Sequence, residues 1–496
     1  MLQLKAYEFW FVTGSQHLYG EDTLKEVNEH SQIITESLNK SLNSPYKIIF
    51  KPVLTTPEAI NNLCIEANSD PKCAGIITWM HTFSPAKMWI QGLLALDKPL
   101  LHLHTQFNRE IPWDSIDMDF MNTNQSAHGD REYGFIGARM KIKRKIVVGY
   151  WKDSDVINQI HDWLYIAAAY IESRKLKVAR FGDNMRNVAV TDGDKVEAQI
   201  KFGWQVQAYG IGDLVDSINE VTESDVNALM EEYSSLYDFA PNLLEEGPLR
   251  DSVKEQARIE IGLENFLKKG DFTAFTTNFE DLHGMKQLPG LAVQHLMSKG
   301  YGFGAEGDWK TAALVRLMKI MAPTKGTTLM EDYTYDLING DEVILGAHML
   351  EICPSIAATK PRIEVHPLGI GGKDDPARLV FEGSEGPAVC ATLLDLGNRF
   401  RLLVNNVDAV KAKHPMPKLP VASTFWKPQP SLKEGAKAWI LAGGAHHTSF
   451  SYGVSAEQLR DFCEMAGIEC LVIDKNTKIN DFKNEILWND LAWKFK

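Results

Sequence analysis

Between Tyr7 and His104 the chain alternates β-branched or aromatic runs with amphipathic helical stretches, and this alternation limits the possible folds severely. Strands are expected at Tyr7–Thr13, Lys47–Leu54, Ala74–Met80 and Pro99–His104. The spacing of Leu24, Val27, Ile34 and Leu38 predicts a helix over Glu21–Leu42, and further helices are expected at Pro57–Ala67 and Pro85–Leu96. A βαβαβαβ order implies a parallel sheet with helices on both faces.

The same alternation returns after an apolar helix, Trp163–Ser173, that could bridge into a second unit. There, strands are expected at Lys177–Phe181, Trp204–Tyr209 and Phe272–Asn278, with helices that include Lys195–Lys201, Leu291–Met297 and Trp309–Met321. Past Met321 short strands follow one another without helices between them: Thr327–Tyr335, Glu342–Cys353, Arg362–His366, Arg378–Gly383 and Arg399–Asn405. Ala438–Leu441 is read as another strand and Ala456–Ala466 as an amphipathic helix. The chain has 496 residues, room for roughly three domains at about 150 residues each. The expected class is α/β, with two doubly wound, Rossmann-like parallel-sheet domains (1–173 and 174–325) and a β-rich, barrel-like C-terminal domain (326–496). The polar stretch from Gln106 to about Asp130 is expected to be a long functional or interface loop.

A formal net charge of −13 argues against nucleic-acid or anionic-membrane partners. The one basic run, Arg139–Lys145, is read as a solvated or ion-paired face. Glu8 interrupts the N-terminal apolar run before signal-peptide length, and no stretch approaches the ~18 apolar residues of a membrane span. Cys64, Cys73, Cys353, Cys390, Cys463 and Cys470 form no C-x-x-C pair and read as reduced cytosolic thiols, so a cytoplasmic protein is expected.

Ionisable groups in apolar surroundings mark the candidate chemistry, because charges rarely enter such strands unless paired or metal-bound. Glu306 is flanked by glycine-rich chain before a helix, Glu331 lies in Leu329-Met330-Glu331-Asp332-Tyr333, and His348 in Gly346-Ala347-His348-Met349-Leu350. His446 and His447 sit in a glycine-rich turn. Each has an ordinary structural reading, and spacing alone supports only a metal site as one possibility. His102, His104, His283, His295 and His414 read as hydrogen-bonded core histidines. Neither Thr13–Gly20 nor Gly302–Gly307 has the G-x-G-x-x-G spacing of a dinucleotide site.

In combination, Phe11–Gly20, Thr123–Gly129, Asn278–Asp281, Gly304–Lys310, Met330–Tyr335, Gly346–Glu351 and Gly443–Thr448 resemble the L-arabinose isomerase family along the whole chain. The resemblance implies a fold shared with L-fucose isomerase and a Mn²⁺ ion, replaceable by Co²⁺, held by Glu306, Glu331, His348 and His447. It implies interconversion of L-arabinose and L-ribulose, the opening step of L-arabinose breakdown, and in many members of D-galactose and D-tagatose. It further implies that Gln16, Leu18, Tyr19, Phe83, Gln125, His128, Met185, Phe279, Ile370 and His446 line the sugar pocket. The assembly expected is a homohexamer or tetramer with sites at subunit boundaries, the Gln125–His128 loop coming from a neighbouring chain.

Two carboxylates and two imidazoles without a thiolate suit a hard-to-borderline ion with open octahedral positions, rather than a closed zinc site. Glu306 and Glu331 are the expected acid/base pair, their individual tasks left open. Three alternatives are weighed against this: a sister isomerase acting on fucose-like sugars, a non-catalytic sugar-binding protein, and a metallohydrolase. The last lacks an H-E-x-x-H motif or nucleophile elbow.

Overall fold

The structure is a computed structural model, and it describes residues 2–369 and 371–495. The chain separates into two compact units, Leu4–Ile171 and Glu172–Lys496 with the first three residues.

The first unit is built on a five-stranded sheet, every pairing parallel, of β1 (Glu8–Gly14), β2 (Lys47–Phe50), β3 (Cys73–Met80), β4 (Leu100–His104) and β5 (Lys145–Val148), in the order β2-β1-β3-β4-β5. Because side chains alternate along a strand, β1 buries two faces. Trp10 and Val12 join one cluster with Ile60, Leu63 and Ile136, while Phe9 meets Trp163 edge-on at 5.4 Å. Each large side chain so buried contributes roughly 1.5–3 kcal/mol, which is why β1 and β3 read as nearly unbroken apolar runs. The strand order reverses between β1 and β3. The crevice beyond their carboxyl ends is where ligands bind in sheets of this kind.

The Gln106–Asp130 stretch is less irregular than its composition suggests. Asp117 caps a short helix, Met118–Thr123, by accepting from the Phe120 N–H, and a second helix, Ser126–Arg139, follows. The basic run lies at the end of that helix and leads into β5, a strand that was not expected.

The second unit opens with another sheet of parallel pairings: β6 (Lys177–Phe181), β7 (Gln205–Tyr209), β9 (Ala274–Thr277) and β10 (Gly302–Gly304), in the order β10-β9-β6-β7. Its order reverses between β6 and β9. Between these elements β8 (Asp238–Phe239) joins a small separate sheet with β13 (Arg362–Val365) and β14 (Ala377–Val380).

The remaining strands form a mixed sheet that closes on itself: β11 (Thr327–Asp336), β12 (Val343–Ala347), β15 (Gly386–Asp395), β16 (Phe400–Val410), β17 (Ser423–Pro428) and β18 (His447–Ser451). They run β15-β18-β11-β12-β17-β16, and β16 pairs again with β15. A seventh strand, β19 (Glu469–Ile473), lies parallel to β16. One expectation needs correction here, and one element was not expected. Ala438–Leu441 is the end of a helix, Leu432–Leu441, started by Ser431 accepting from Glu434 N–H; its short apolar run carries no period that separates helix from strand. A terminal helix, Ile479–Lys494, also goes unread because its apolar residues fall on two faces, Phe482 buried and Leu487, Trp488 and Leu491 exposed.

Gly346 in β12 lies under Trp426, and an added Cβ would stand 1.9 Å from that ring. Gly346→Ala must therefore displace a buried indole, at a cost of about 1–3 kcal/mol. A fall in Tm is expected; an unchanged Tm would mean the ring gives way freely.

Candidate metal and substrate site

Register brings the C-terminal candidates together. Glu331 of β11 stands directly opposite His447 of β18 on one side and Ala347 of β12 on the other, and His348 is the next residue along. The rings of His348 and His447 are 5.8 Å apart. Glu306 reaches the same place from the turn after β10. Its φ of 59° and the 80° of Gly307 put two consecutive residues in the left-handed region. Glycine accepts this freely, whereas glutamate does so at a cost of about 1 kcal/mol or more. Gly307 could hardly be anything else, since a Cβ would lie 2.6 Å from Asn184 Cα.

Glu306, Glu331 and His348 border a cavity of about 180 Å³, lined also by Tyr333, Phe279 and Glu351, among others. That is below the ~300–1,000 Å³ typical of drug-sized ligands, so the cavity suits a small molecule. It lies at the carboxyl ends of the central sheet, where the loop after β9 supplies Phe279. Met185, on the loop after β6 and expected against the sugar, is not among its lining residues, though its backbone N–H donates to Glu306 O at 3.0 Å.

Each buried imidazole has a carboxylate behind it. Glu351 Oε2 lies 2.5 Å from His348 Nδ1 and also accepts the Leu350 N–H. Burial opposes charge on His348, but Glu351, helped by Glu331 and Glu306, outweighs it and holds the pKa up at about 9. Asp308 Oδ2 lies 3.3 Å from His447 Nδ1. Asp308 also caps helix Trp309–Met321 through the Thr311 N–H and hydroxyl, and Lys310 Nζ is 3.6 Å away. Burial would raise this carboxyl, yet Lys310 and then His447 more than offset it and hold it at about 2. Glu306 is held below the ordinary range by His446 foremost, against its own burial, and then by His447 and His348.

The other nitrogen of His447, Nε2, is buried and has no hydrogen-bond partner. It faces Glu306 Oε2 at 3.9 Å. An imidazole oriented by a carboxylate at Nδ1, with Nε2 free and turned towards another carboxylate, is the arrangement of a metal ligand. The residues present therefore fit a divalent cation. Ligand atoms of Glu306, His446 and His447 all lie within 4.8 Å of one another. His446, expected against the sugar, thus stands in the nearest group of donors, its Nε2 also 3.9 Å from Glu306. Glu331 and His348 border the same cavity outside that trio.

The remaining sugar-pocket candidates gather elsewhere, in the Leu4–Ile171 unit, at the carboxyl ends of β1 and β3. Gln16 donates to Phe83 O at 3.1 Å, Gln125 donates to Tyr19 Oη at 3.1 Å, and the rings of Phe83 and His128 meet edge-on at 4.9 Å. Leu18 is 82% exposed beside them. Ile370 lies outside the described residues. His102 and His104 are bonded to Asp130, a second trio of possible metal donors. Sequence reasoning missed Asp308 and the cavity-lining Tyr333. Asp308 was open to discovery as an Asp at the N-cap three residues before Thr311.

Asp332, on the opposite face of β11, is half-buried, and its buried Oδ1 has no hydrogen-bond partner. Burial, with Glu331 adding to it, lifts its pKa to about 7.

Three family profiles cover the chain: an L-arabinose isomerase N-terminal domain over residues 3–175, a central domain over 177–324 and a C-terminal domain over 326–469. An L-arabinose isomerase of Geobacillus stearothermophilus is 69% identical over 494 residues, covering 100% of both chains. Those of Clostridium beijerinckii and Bacillus subtilis are 66% and 60% identical, again over 100% of each chain. A solved glucose-galactose binding protein of Geobacillus stearothermophilus covers 64% of this chain and 91% of its own at 11% identity, but a TM-score of 0.15 carries no argument.

Asp308→Asn keeps the helix cap but removes the charge behind His447. Divalent-cation affinity is expected to fall about 10–100-fold, measured by calorimetric titration; unchanged affinity would remove Asp308 from the site.

Proposed function

The chain belongs to the L-arabinose isomerase family and is an aldose–ketose isomerase, and from that premise we propose a metal-dependent conversion of L-arabinose to L-ribulose, with D-galactose to D-tagatose as a second activity. The observation that carries the metal is the partnerless, buried Nε2 of His447, aimed at Glu306 and oriented from behind by Asp308. Glu306, Glu331, His348 and His447 would hold the ion, with Mn²⁺ the expected metal and Co²⁺ able to replace it.

Isomerisation moves a proton from C2 of the open-chain aldose to C1 and a second proton between the two oxygens. A bound divalent cation would supply positive charge where the ene-diolate develops. Glu306 enters as a carboxylate, because the imidazoles around it hold its pKa down. We assign the carbon-bound proton to one of Glu306 and Glu331 and the hydroxyl proton to the other, both facing the same cavity. Phe279 closes one wall and offers an apolar surface to sugar C–H groups.

Gln16, Leu18, Tyr19, Phe83, Gln125 and His128 are assigned to the rest of the sugar pocket, along with Met185, Ile370 and His446. We take the working form to be a homo-oligomer, hexameric or tetrameric, in which a neighbouring chain supplies Gln125 and His128. Three domains, 1–173, 174–325 and 326–496, and a cytoplasmic location complete the reading. Among the described residues no helix is long and apolar enough to cross a membrane.

Glu306→Gln is expected to lower kcat at least about 100-fold while sugar binding persists. Retained turnover would exclude Glu306 from proton transfer. Prolonged chelation should abolish L-ribulose formation and added Mn²⁺ should restore it; activity that survives complete metal removal would overturn the metal-dependent reading.

A further inference from the structure

Asp130 is buried in helix Ser126–Arg139, and both of its oxygens are in use. Oδ1 is 2.8 Å from His102 Nε2 and Oδ2 is 2.7 Å from His104 Nδ1. The two histidines are two residues apart on β4, so their side chains leave the same face of the strand. One carboxylate therefore ties the second turn of a helix to a central strand through two bonds.

These three residues could be taken for a metal site, and the distances decide against it. Two atoms each ~2.1 Å from one ion lie roughly 3.4 Å apart in a tetrahedral site and roughly 3.0 Å apart in an octahedral one. Separations of 2.7 and 2.8 Å are those of hydrogen bonds, with the imidazole N–H groups donating to the carboxylate.

What the helix carries gives the tie its purpose. Gln125 precedes its first turn and His128 lies within it. The Gln125 N–H donates to His81 O at 2.8 Å, and Gly129 packs so closely that a Cβ would stand 2.8 Å from Thr82 O. One turn on, Tyr133 meets the His102 ring edge-on at 4.9 Å. The first turn is thus pressed on the loop after β3, and Asp130 fixes its height and rotation from below.

We propose that His102, Asp130 and His104 act as a brace that positions Gln125 and His128 for the sugar, acting on substrate binding and not on the chemical step. This rests on the assignment of Gln125 and His128 to the sugar pocket. Loss of contacts made equally in ground and transition states raises KM and leaves kcat nearly unchanged.

The test uses the full-length, metal-loaded enzyme. Asp130→Asn and His104→Leu should each raise KM for L-arabinose about tenfold, with kcat within about twofold. His104→Asn, whose amide nitrogen can replace Nδ1 as donor, should recover most of the loss, and His102→Gln does the same for Nε2. Gln125→Leu and His128→Leu are measured alongside. If they raise KM while a folded Asp130→Asn, judged by Tm, does not, the brace is refuted and the pocket assignment stands. If they leave KM unchanged, the pocket assignment itself fails. Should Asp130→Asn not fold, His104→Leu and its rescue by His104→Asn decide. Equilibrium dialysis of Zn²⁺ against Glu306→Gln/Glu331→Gln provides the last arm, because a tightly bound equivalent that Asp130→Asn abolishes would make the trio a metal site and overturn the brace.

Discussion

In the pairing of β18, β11 and β12, Glu331 occupies a place where a slip of one residue would exchange it for Asp332. Strand side chains alternate between faces, so that slip would turn Glu331 away from the cavity and deliver to it a carboxyl whose Oδ1 is now buried without a partner. The nearness of Glu331 to His447 and to His348 therefore depends on backbone register before any side-chain chemistry. Pairing on both edges supports that register, because β11 lies between β18 and β12, and β18 between β15 and β11.

The same chemical pair, a carboxylate with an imidazole, is used in two ways. At His348 and His447 one carboxylate serves one ring, orients it and leaves Nε2 for another partner. At Asp130 one carboxylate serves two rings and both of its oxygens are consumed. A free ring nitrogen alone does not separate the two, since His102 Nδ1 is also buried without a partner; the number of rings each carboxylate serves does.

Much of the architecture was legible because parallel strands buried on both faces produce apolar runs that no polar loop imitates. Elements without such a signature were lost: Ala438–Leu441 has too few residues to display a period, and Ile479–Lys494 spreads its apolar side chains over two faces. The site was legible only as scattered ionisable residues, since nothing in their spacing states that strands 11, 12 and 18 are neighbours. Motif resemblance supplied that adjacency. Between His446 and His447 the strand start decides: His447 is the first residue of β18 and fully buried, and His446 remains 38% exposed in the side chain before it. Asp308 escaped notice because its cap role and its contact with His447 meet only in three dimensions.

The left-handed turn at Glu306 and Gly307 has a consequence for how such a pocket can change. The loop bearing Met185 hangs from the Glu306 carbonyl, and Asn184 donates to the carbonyl of Gly307, so one unusual pair of peptide units sets both the Glu306 carboxylate and the course of the loop after β6. Change in the shape of the cavity is thereby channelled away from this corner towards side chains such as Phe279, which line it without carrying that skeleton.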